Sequence, residues 1–182
     1  MKKIIIVVLF FWPLLAMAQQ KINPPSKGKA VVYFIQTPGT LTWINFRYFE
    51  RGNFIGKFNG SNFMRYECDP GETLFWVKAE NLDFIEAELK EGSIYFIEAT
   101  PTLGAITSAV KFKLVNYSDE KQMKRIMKVI ENNEGVAFAK SELDNAQNEM
   151  QKVINESSRK IQVKRKRKKK VKYLTLDMTY EL

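Results

Sequence analysis

The feature that most constrains the fold is a series of short, strongly β-forming runs between Ala30 and Val115. Each run is rich in β-branched or aromatic residues, and turn signals such as Asn59-Gly60 and Asp69-Pro70-Gly71 separate neighbouring runs. The runs cover residues 30–36, 42–49, 53–58, 62–68, 72–79, 83–89, 93–99 and 109–115. A spacing of about 8 to 12 residues is typical of sandwiches and barrels. The pattern predicts a mainly β fold: an antiparallel β-sandwich, Ig-like or related, of about seven or eight short strands.

Two helices are expected after the β region. Ser118-Asp119-Glu120 has the composition of a helix N-cap with an acidic first turn. One helical stripe then follows, made of Met123, Ile126, Met127 and Ile130. A second helix is expected at residues 138–161, with a thin apolar face of Leu143, Ala146, Met150, Val153 and Ile154. This face either packs on the β domain or binds a partner or a second copy.

A basic run near the C-terminus is the one outlier in composition. The chain has a formal net charge of +9, and ten basic residues with no acidic residue lie between positions 159 and 172. The remaining residues together carry a small negative charge, so the basicity belongs to this segment. The candidate polyanion-binding residues are Lys164, Arg165, Lys166, Arg167, Lys168, Lys169, Lys170 and Lys172.

Three interpretations of the basic run are open. It is a solvated linker, a nucleic-acid site or a docking segment for an anionic component of the cell envelope. The N-terminus has the pattern of a secretory signal peptide, and the export it implies argues against nucleic acid. No aromatic residues are interleaved with the lysines for base stacking. Near an anionic membrane each Lys or Arg contributes about 1 kcal/mol. We therefore expect an envelope polyanion or envelope protein as the partner, peripheral membrane association, and no nucleic acid.

The last residues alternate in polarity, as in a strand with one apolar face. The apolar positions, which are the candidates for strand addition, are Leu174, Leu176, Met178 and Tyr180. This strand either completes an edge of the β domain or adds to a partner and forms an oligomer. The intramolecular pairing is the favoured of the two.

The N-terminus has the three parts of a secretory signal peptide. Lys2 and Lys3 form a basic start, residues 4–15 are apolar, and Ala16-Met17-Ala18 fits a cleavage site before Gln19. The apolar run is shorter than the roughly 20 residues of a spanning helix. We expect export to the periplasm or cell envelope, or secretion into the medium.

Missing residue types exclude several chemistries. The chain has no histidine and one cysteine, Cys68, so we expect no metal site, no cofactor and no histidine-based triad. Cys68 is expected to be a small buried hydrophobe. The carboxylate pairs Glu86 with Glu88 and Glu67 with Asp69 read as solvated strand residues. The sequence therefore predicts a protein that is not an enzyme; the alternative is a glycan-active enzyme that relies on carboxylates alone.

Several short motifs of the β region match those of a known family in order. They are GKAVVYF at residues 28–34, GNFIGKF at 52–58, Asp69-Pro70-Gly71 with Leu74, Trp76 and Lys78, EGSIYF at 91–96, and Leu103-Gly104 before Lys113-Leu114-Val115. Through them residues 28–117 resemble a bacterial exported family known as domain of unknown function 2846. The resemblance implies a β-sandwich and carries no catalytic residues. Many members look like lipoproteins, whereas this chain has no cysteine at the cleavage site.

These expectations divide the chain into six parts. They are a signal peptide at 1–18, a polar linker at 19–28, the β-sandwich at 29–117, a two-helix extension at 118–162, a basic segment at 163–172 and an amphipathic strand at 173–182. The expected function is a binding or structural module of the envelope that docks through its basic segment. The alternatives are the glycan-active enzyme and an assembly subunit that uses its terminal strand.

Overall fold

The structure is a computed structural model that describes residues 21–39, 43–103, 108–167 and 171–182. The predicted signal peptide lies outside these residues. Within them the chain is mainly β, as predicted, with nine strands and two helices. The elements are β1 (Ala30–Gln36), β2 (Phe46–Glu50), β3 (Asn53–Phe58), β4 (Asn62–Cys68), β5 (Gly71–Lys78), β6 (Leu82–Leu89), β7 (Ile94–Leu103), β8 (Ser108–Leu114), α1 (Glu120–Asn132), α2 (Lys140–Lys166) and β9 (Lys172–Leu174).

The strands form two mixed sheets, with the orders β4-β1-β7-β8 and β3-β2-β5-β6-β9. Most neighbours are antiparallel, but β1 is parallel to β7 and β6 is parallel to β9. The prediction of purely antiparallel sheets is therefore wrong. Parallel neighbours need a long connection between them. Five strands separate β1 from β7 in the chain, and both helices separate β6 from β9, so these long-range pairings leave no mark in a local pattern.

Three clusters of buried side chains hold the sheets and helices together. The central cluster joins both sheets, and the rings of Phe34 and Phe75 meet in it with centroids 5.3 Å apart. A second cluster lies between the four-stranded sheet and α1, where Ile126 is buried. A third lies between the five-stranded sheet and α2, where Ile161 packs in one cluster with Trp76. The apolar stripe of the second helix thus packs on the β region, which is one of the two outcomes expected from its sequence.

The helices begin and end for local reasons. The predicted cap sequence Ser118-Asp119-Glu120 does begin α1, and Asp119 is its N-cap, because its Oδ1 accepts hydrogen bonds from the backbone N–H groups of Lys121 and Gln122, both at 3.1 Å. Helix α2 extends beyond residue 161 and into the predicted basic segment. Its last turn is entirely basic, which favours the negative end of the helix dipole. No helix in the described ranges is long and apolar enough to cross a lipid bilayer.

Side chains close parts of the sheet edges. On β8 the Asn81 side chain donates to the Val110 carbonyl oxygen at 2.8 Å and accepts from the Val110 N–H at 2.6 Å. On β3 the Gln147 side chain of α2 accepts from the Phe54 N–H at 2.7 Å. The backbone of Val136 bridges to β4. Such groups occupy hydrogen-bonding positions that a foreign strand would otherwise use.

The C-terminal strand is shorter than the sequence predicted. Strand β9 covers Lys172–Leu174 and pairs with β6. The chain then turns, and the Tyr180 N–H donates to the Ile94 carbonyl oxygen of the other sheet at 2.7 Å. The Tyr180 ring stacks on Phe96, with centroids 4.7 Å apart. The alternating segment therefore crosses from the five-stranded sheet to the four-stranded sheet. Its end packs against an aromatic residue of the four-stranded sheet.

Candidate anion-binding surface

The predicted basic run lies where α2 ends and β9 begins. Its described members are Lys164, Arg165 and Lys166 in the last turn of α2, Arg167 at the C-cap and Lys172 in β9. The other predicted members, Lys168, Lys169 and Lys170, lie outside the described residues. The run is thus part helix and part strand, whereas the sequence suggested a separate segment.

Three of these cations bind β6 instead of facing solvent freely. The contacts are Lys164 Nζ to the Leu82 carbonyl oxygen at 3.0 Å, Arg165 Nε to Glu86 Oε1 at 2.5 Å, and Lys172 Nζ to the Asp83 carboxylate. They fasten the end of α2 and β9 to β6. Partly exposed ion pairs of this kind contribute about 0–1 kcal/mol each. Within the described part of the chain, the exposed Lys166 and Arg167 make no ion pair.

A second basic group lies on the five-stranded sheet, and sequence analysis missed it. Arg47 of β2 pairs directly with Lys57 of β3 on one side and with Lys78 of β5 on the other. Directly paired residues share a face of the sheet. This face also carries Trp76, which packs against α2. We call these three basic residues the basic row. Like charges placed directly opposite one another are destabilising, so the basic row lowers the stability of the fold.

The surroundings of Lys78 lower its pKa. Partial burial lowers the pKa of the Lys78 ammonium, and the positive charges of Arg47 and Lys160 lower it further. The carboxylates of Glu156 and Glu80 act in the opposite direction and do not cancel the effect. Because Lys160 belongs to α2, a positive charge of the helix acts on the basic row.

An open groove continues the basic row onto the helix. Leu82 pairs directly with Lys78 and forms part of the groove, whose volume is about 350 Å³. The groove is lined by Leu82, Arg159, Lys160, Val163, Lys164 and Arg167. The Val163 side chain is 47% exposed although it is aliphatic. We call the basic row and this groove together the basic face.

The basic face could have been suspected only from strand register. Its cationic members come from β2, β3, β5 and α2, and none of the three strands carries a basic run of its own. Within each strand, the alternation places Arg47, Lys57 and Lys78 on the face of the sheet that points away from the central cluster. Which strands are neighbours, however, is a long-range property. The clustering at positions 159–172 was visible because those residues are consecutive.

The four strand-addition candidates contact the rest of the chain to different degrees. Leu174 is buried in the central cluster, Met178 packs against that cluster, Tyr180 stacks on Phe96, and Leu176 is 43% exposed. Strand β9 bonds along only three residues of β6. Most of the apolar side chains of this segment therefore pack within the molecule.

A buried carboxylate on the opposite side of the molecule was also missed. Glu98 of β7 is fully buried, and it accepts hydrogen bonds from Thr37 Oγ1 at 2.6 Å, Gln122 Nε2 at 2.9 Å and Arg125 at 3.3 Å. Burial by itself raises the pKa of this carboxyl, but the hydrogen bonds from Thr37 and Gln122 and the charge of Arg125 outweigh it, so the pKa lies below its usual value. The sequence signal for this site was a glutamate inside an apolar run. A glutamate that is buried needs hydrogen-bonding or charged partners.

Comparison with known proteins adds no family assignment. No protein-family model matches this chain, and no curated protein matches it. The resemblance of residues 28–117 to domain of unknown function 2846 therefore stays a prediction.

Proposed function

We propose that this protein is a non-enzymatic module of the cell envelope that docks on an anionic surface through its basic face. The observation that carries the proposal is the basic row, in which Lys57, Arg47 and Lys78 stand directly opposite one another. A fold that only needed stability would not keep three like charges in register, because an uncharged residue at Arg47 would remove the repulsion. An anionic surface supplies a counter-charge to the row beyond that of Glu80 and Glu156.

The size of the basic face suits an extended anionic surface. It combines the three cations of the row with the four of the groove, Arg159, Lys160, Lys164 and Arg167. Near an anionic membrane each such charge contributes about 1 kcal/mol. Salt screens the attraction over a Debye length of about 10 Å at 0.1 M, so the proposed docking is salt-sensitive.

The proposed architecture is a β-sandwich whose two sheets pack face to face with a helix on each outer side. The central cluster, which draws side chains from both sheets, supports this arrangement. The two outer clusters, one with α1 and one with α2, support the positions of the helices. The sandwich would act as a rigid support for the basic face, since rigid elements hold a binding surface more accurately than loops do.

The envelope location rests on the predicted signal peptide and on the family resemblance. An exported protein that stays at a surface needs an attachment to it, and a basic face provides one. We do not expect nucleic acid as the partner, because an exported protein meets little of it. We expect lipid phosphates, anionic head groups or an acidic polymer instead.

The alternatives have weaker support from the side-chain contacts. Three of the carboxylates considered for glycan chemistry are ion-paired: Glu67 with Arg65 at 2.9 Å, Asp69 with Lys29 at 2.6 Å and Glu86 with Arg165 at 2.5 Å. An assembly subunit would use its C-terminal strand on a partner, whereas β9 pairs with β6 of the same chain and Leu174 is buried there. Docking by charge needs neither a cleft nor an edge.

Co-sedimentation with purified envelope fractions tests the proposal. The test variant replaces Arg47, Lys57 and Lys78 with glutamine. The matched control replaces Lys111, Lys124 and Lys128, which are exposed lysines of β8 and α1, and so removes the same charge elsewhere. We expect the wild type and the control to sediment at low salt and to be released at high salt, while the test variant stays in solution. Equal binding by both variants would contradict the proposal.

A further inference from the structure

We infer that the groove between α2 and β6 binds one acyl chain of an anionic membrane lipid, with the lipid phosphate among the cations of its rim. The inference rests on the proposed docking function and adds the class of ligand. The inference starts from the composition of the groove, which has a basic rim and an apolar lining. Charge alone does not account for the apolar lining.

Helix geometry puts the rim and the lining on one face of α2. Positions 159, 160, 163, 164 and 167 are spaced by three and four residues, so their side chains are neighbours on the helix surface. Val163 lies in the middle of this set, with cations one turn before it and one turn after it. Leu82 of β6 forms the opposite wall.

The rim is partly ordered before any ligand binds. Lys164 Nζ donates to the Leu82 carbonyl oxygen at 3.0 Å, which fixes the lysine beside the apolar wall. Arg165 is turned away from the groove by its ion pair with Glu86. A cation held in place loses less conformational entropy when an anion binds.

The electrostatics of the groove favour an anion despite the helix end. The C-terminus of a helix carries about −0.5 of an elementary charge. Four cations, Arg159, Lys160, Lys164 and Arg167, line the groove at this end. Their summed charge is several times larger than that of the dipole, so a phosphate is attracted there.

The apolar lining selects a lipid over a soluble polyanion. A polysaccharide or polyphosphate would satisfy the cations but would leave Val163 in contact with water or cover it with polar groups. An acyl chain satisfies both parts of the groove, because it removes the exposed surface of Val163 from water. Charged side chains around an apolar strip are also what interfacial helices present to anionic bilayers.

The test compares two ligands that differ in whether they have an acyl chain. The first is a vesicle of equal parts phosphatidylglycerol and phosphatidylcholine, and the second is heparin, a polyanion without acyl chains. The test variant is Val163→Gln, because glutamine is a good helix former and the site is exposed. The matched control is Leu182→Gln, which removes an exposed leucine at the C-terminus.

We expect Val163→Gln to weaken vesicle binding about tenfold and to leave heparin binding unchanged, while Leu182→Gln changes neither. In the wild type, monomeric dihexanoyl phosphatidylglycerol should shift the NMR methyl signals of Val163. Vesicle binding that is unchanged in Val163→Gln, or an equal loss of heparin binding, would overturn the lipid inference and leave docking by charge intact. A wild type that binds heparin but not vesicles would have the same meaning. A wild type that binds neither ligand would overturn the docking proposal as well.

Discussion

The two helices lie on the two sheets in opposite electrostatic settings. Under α1 the charge is paired: Glu98 is buried and receives hydrogen bonds from Thr37, Gln122 and Arg125. Beside α2 some charges are paired, as in Arg165 with Glu86, but Arg47 stands between two lysines in the same row. The apolar packing of the helices is similar, since each buries isoleucines against its sheet. The difference indicates that both helices stabilise the fold, while the side with α2 also holds like charges directly next to one another.

The largest expected effects come from replacing the buried isoleucines through which each helix packs on its sheet. Ile126→Ala in α1 and Ile161→Ala in α2 should each lower the free energy of unfolding by about 3 kcal/mol, because both side chains are buried and leave a cavity. Chemical denaturation measures both. Val163→Ala is the control, and it should change stability by no more than about 0.5 kcal/mol. A loss below that level in one isoleucine variant would mean that its helix is not part of the packed structure.

Removing the paired carboxylate tests the α1 side directly. Glu98→Ala should lower the free energy of unfolding by about 2 kcal/mol, because the buried donors of Thr37 and Gln122 lose their acceptor. The control Glu131→Ala removes an exposed carboxylate from α1, the helix that packs on the same sheet as Glu98, and should have little effect. Equal stability of the two variants would show that the buried network contributes nothing.

Acid should weaken the α1 side through the same residue. The pKa of Glu98 is lower in the folded state than the unfolded value of about 4.3. Its contribution is therefore present above that value and is lost as the pH falls through the folded pKa. Between about pH 6 and pH 3 the wild type should lose more stability than Glu98→Gln, which cannot titrate there. Parallel pH curves for the two proteins would mean that folding does not lower this pKa.

How much of this was visible in the sequence depends on the range of the interactions. The strand runs and the cap sequence at residues 118–120 are local, and they were predicted because alternation and capping act over a few residues. The parallel pairing of β1 with β7 was missed because strand direction is set by long-range contacts. The terminal strand was predicted too long because Tyr180 finds an aromatic partner on the other sheet.

The same distinction applies to the candidate site. The consecutive lysines and arginines at the end of α2 were visible in the sequence. Which of them bind β6 and which make no ion pair could not be predicted from it. The ion pair of Arg165 with Glu86 depends on how α2 crosses β6. The basic row depends on the register of three strands. Register can be read from a sequence only once the neighbouring strands are known.

The smallest expected effect is a gain in stability on the α2 side. Arg47→Thr removes the central charge of the basic row, so the free energy of unfolding should rise by about 0.5 kcal/mol at low salt. High salt should abolish the gain, because it screens the repulsion in the wild type. Lys111→Thr in β8 is the control, since Lys111 pairs with Thr100 and has no charge opposite it. A loss of stability in Arg47→Thr at low salt would contradict the idea that the row is strained by like charges.

Chemical footprinting of lysines tests the central claim most directly. The protein would be acetylated at low salt with and without anionic vesicles, and each lysine would be quantified by mass spectrometry. Our account predicts that the vesicles protect Lys57 and Lys160 of the basic face and leave Lys111, Lys124 and Lys128 unchanged. Protection of those three lysines, with Lys57 and Lys160 still reactive, would contradict it.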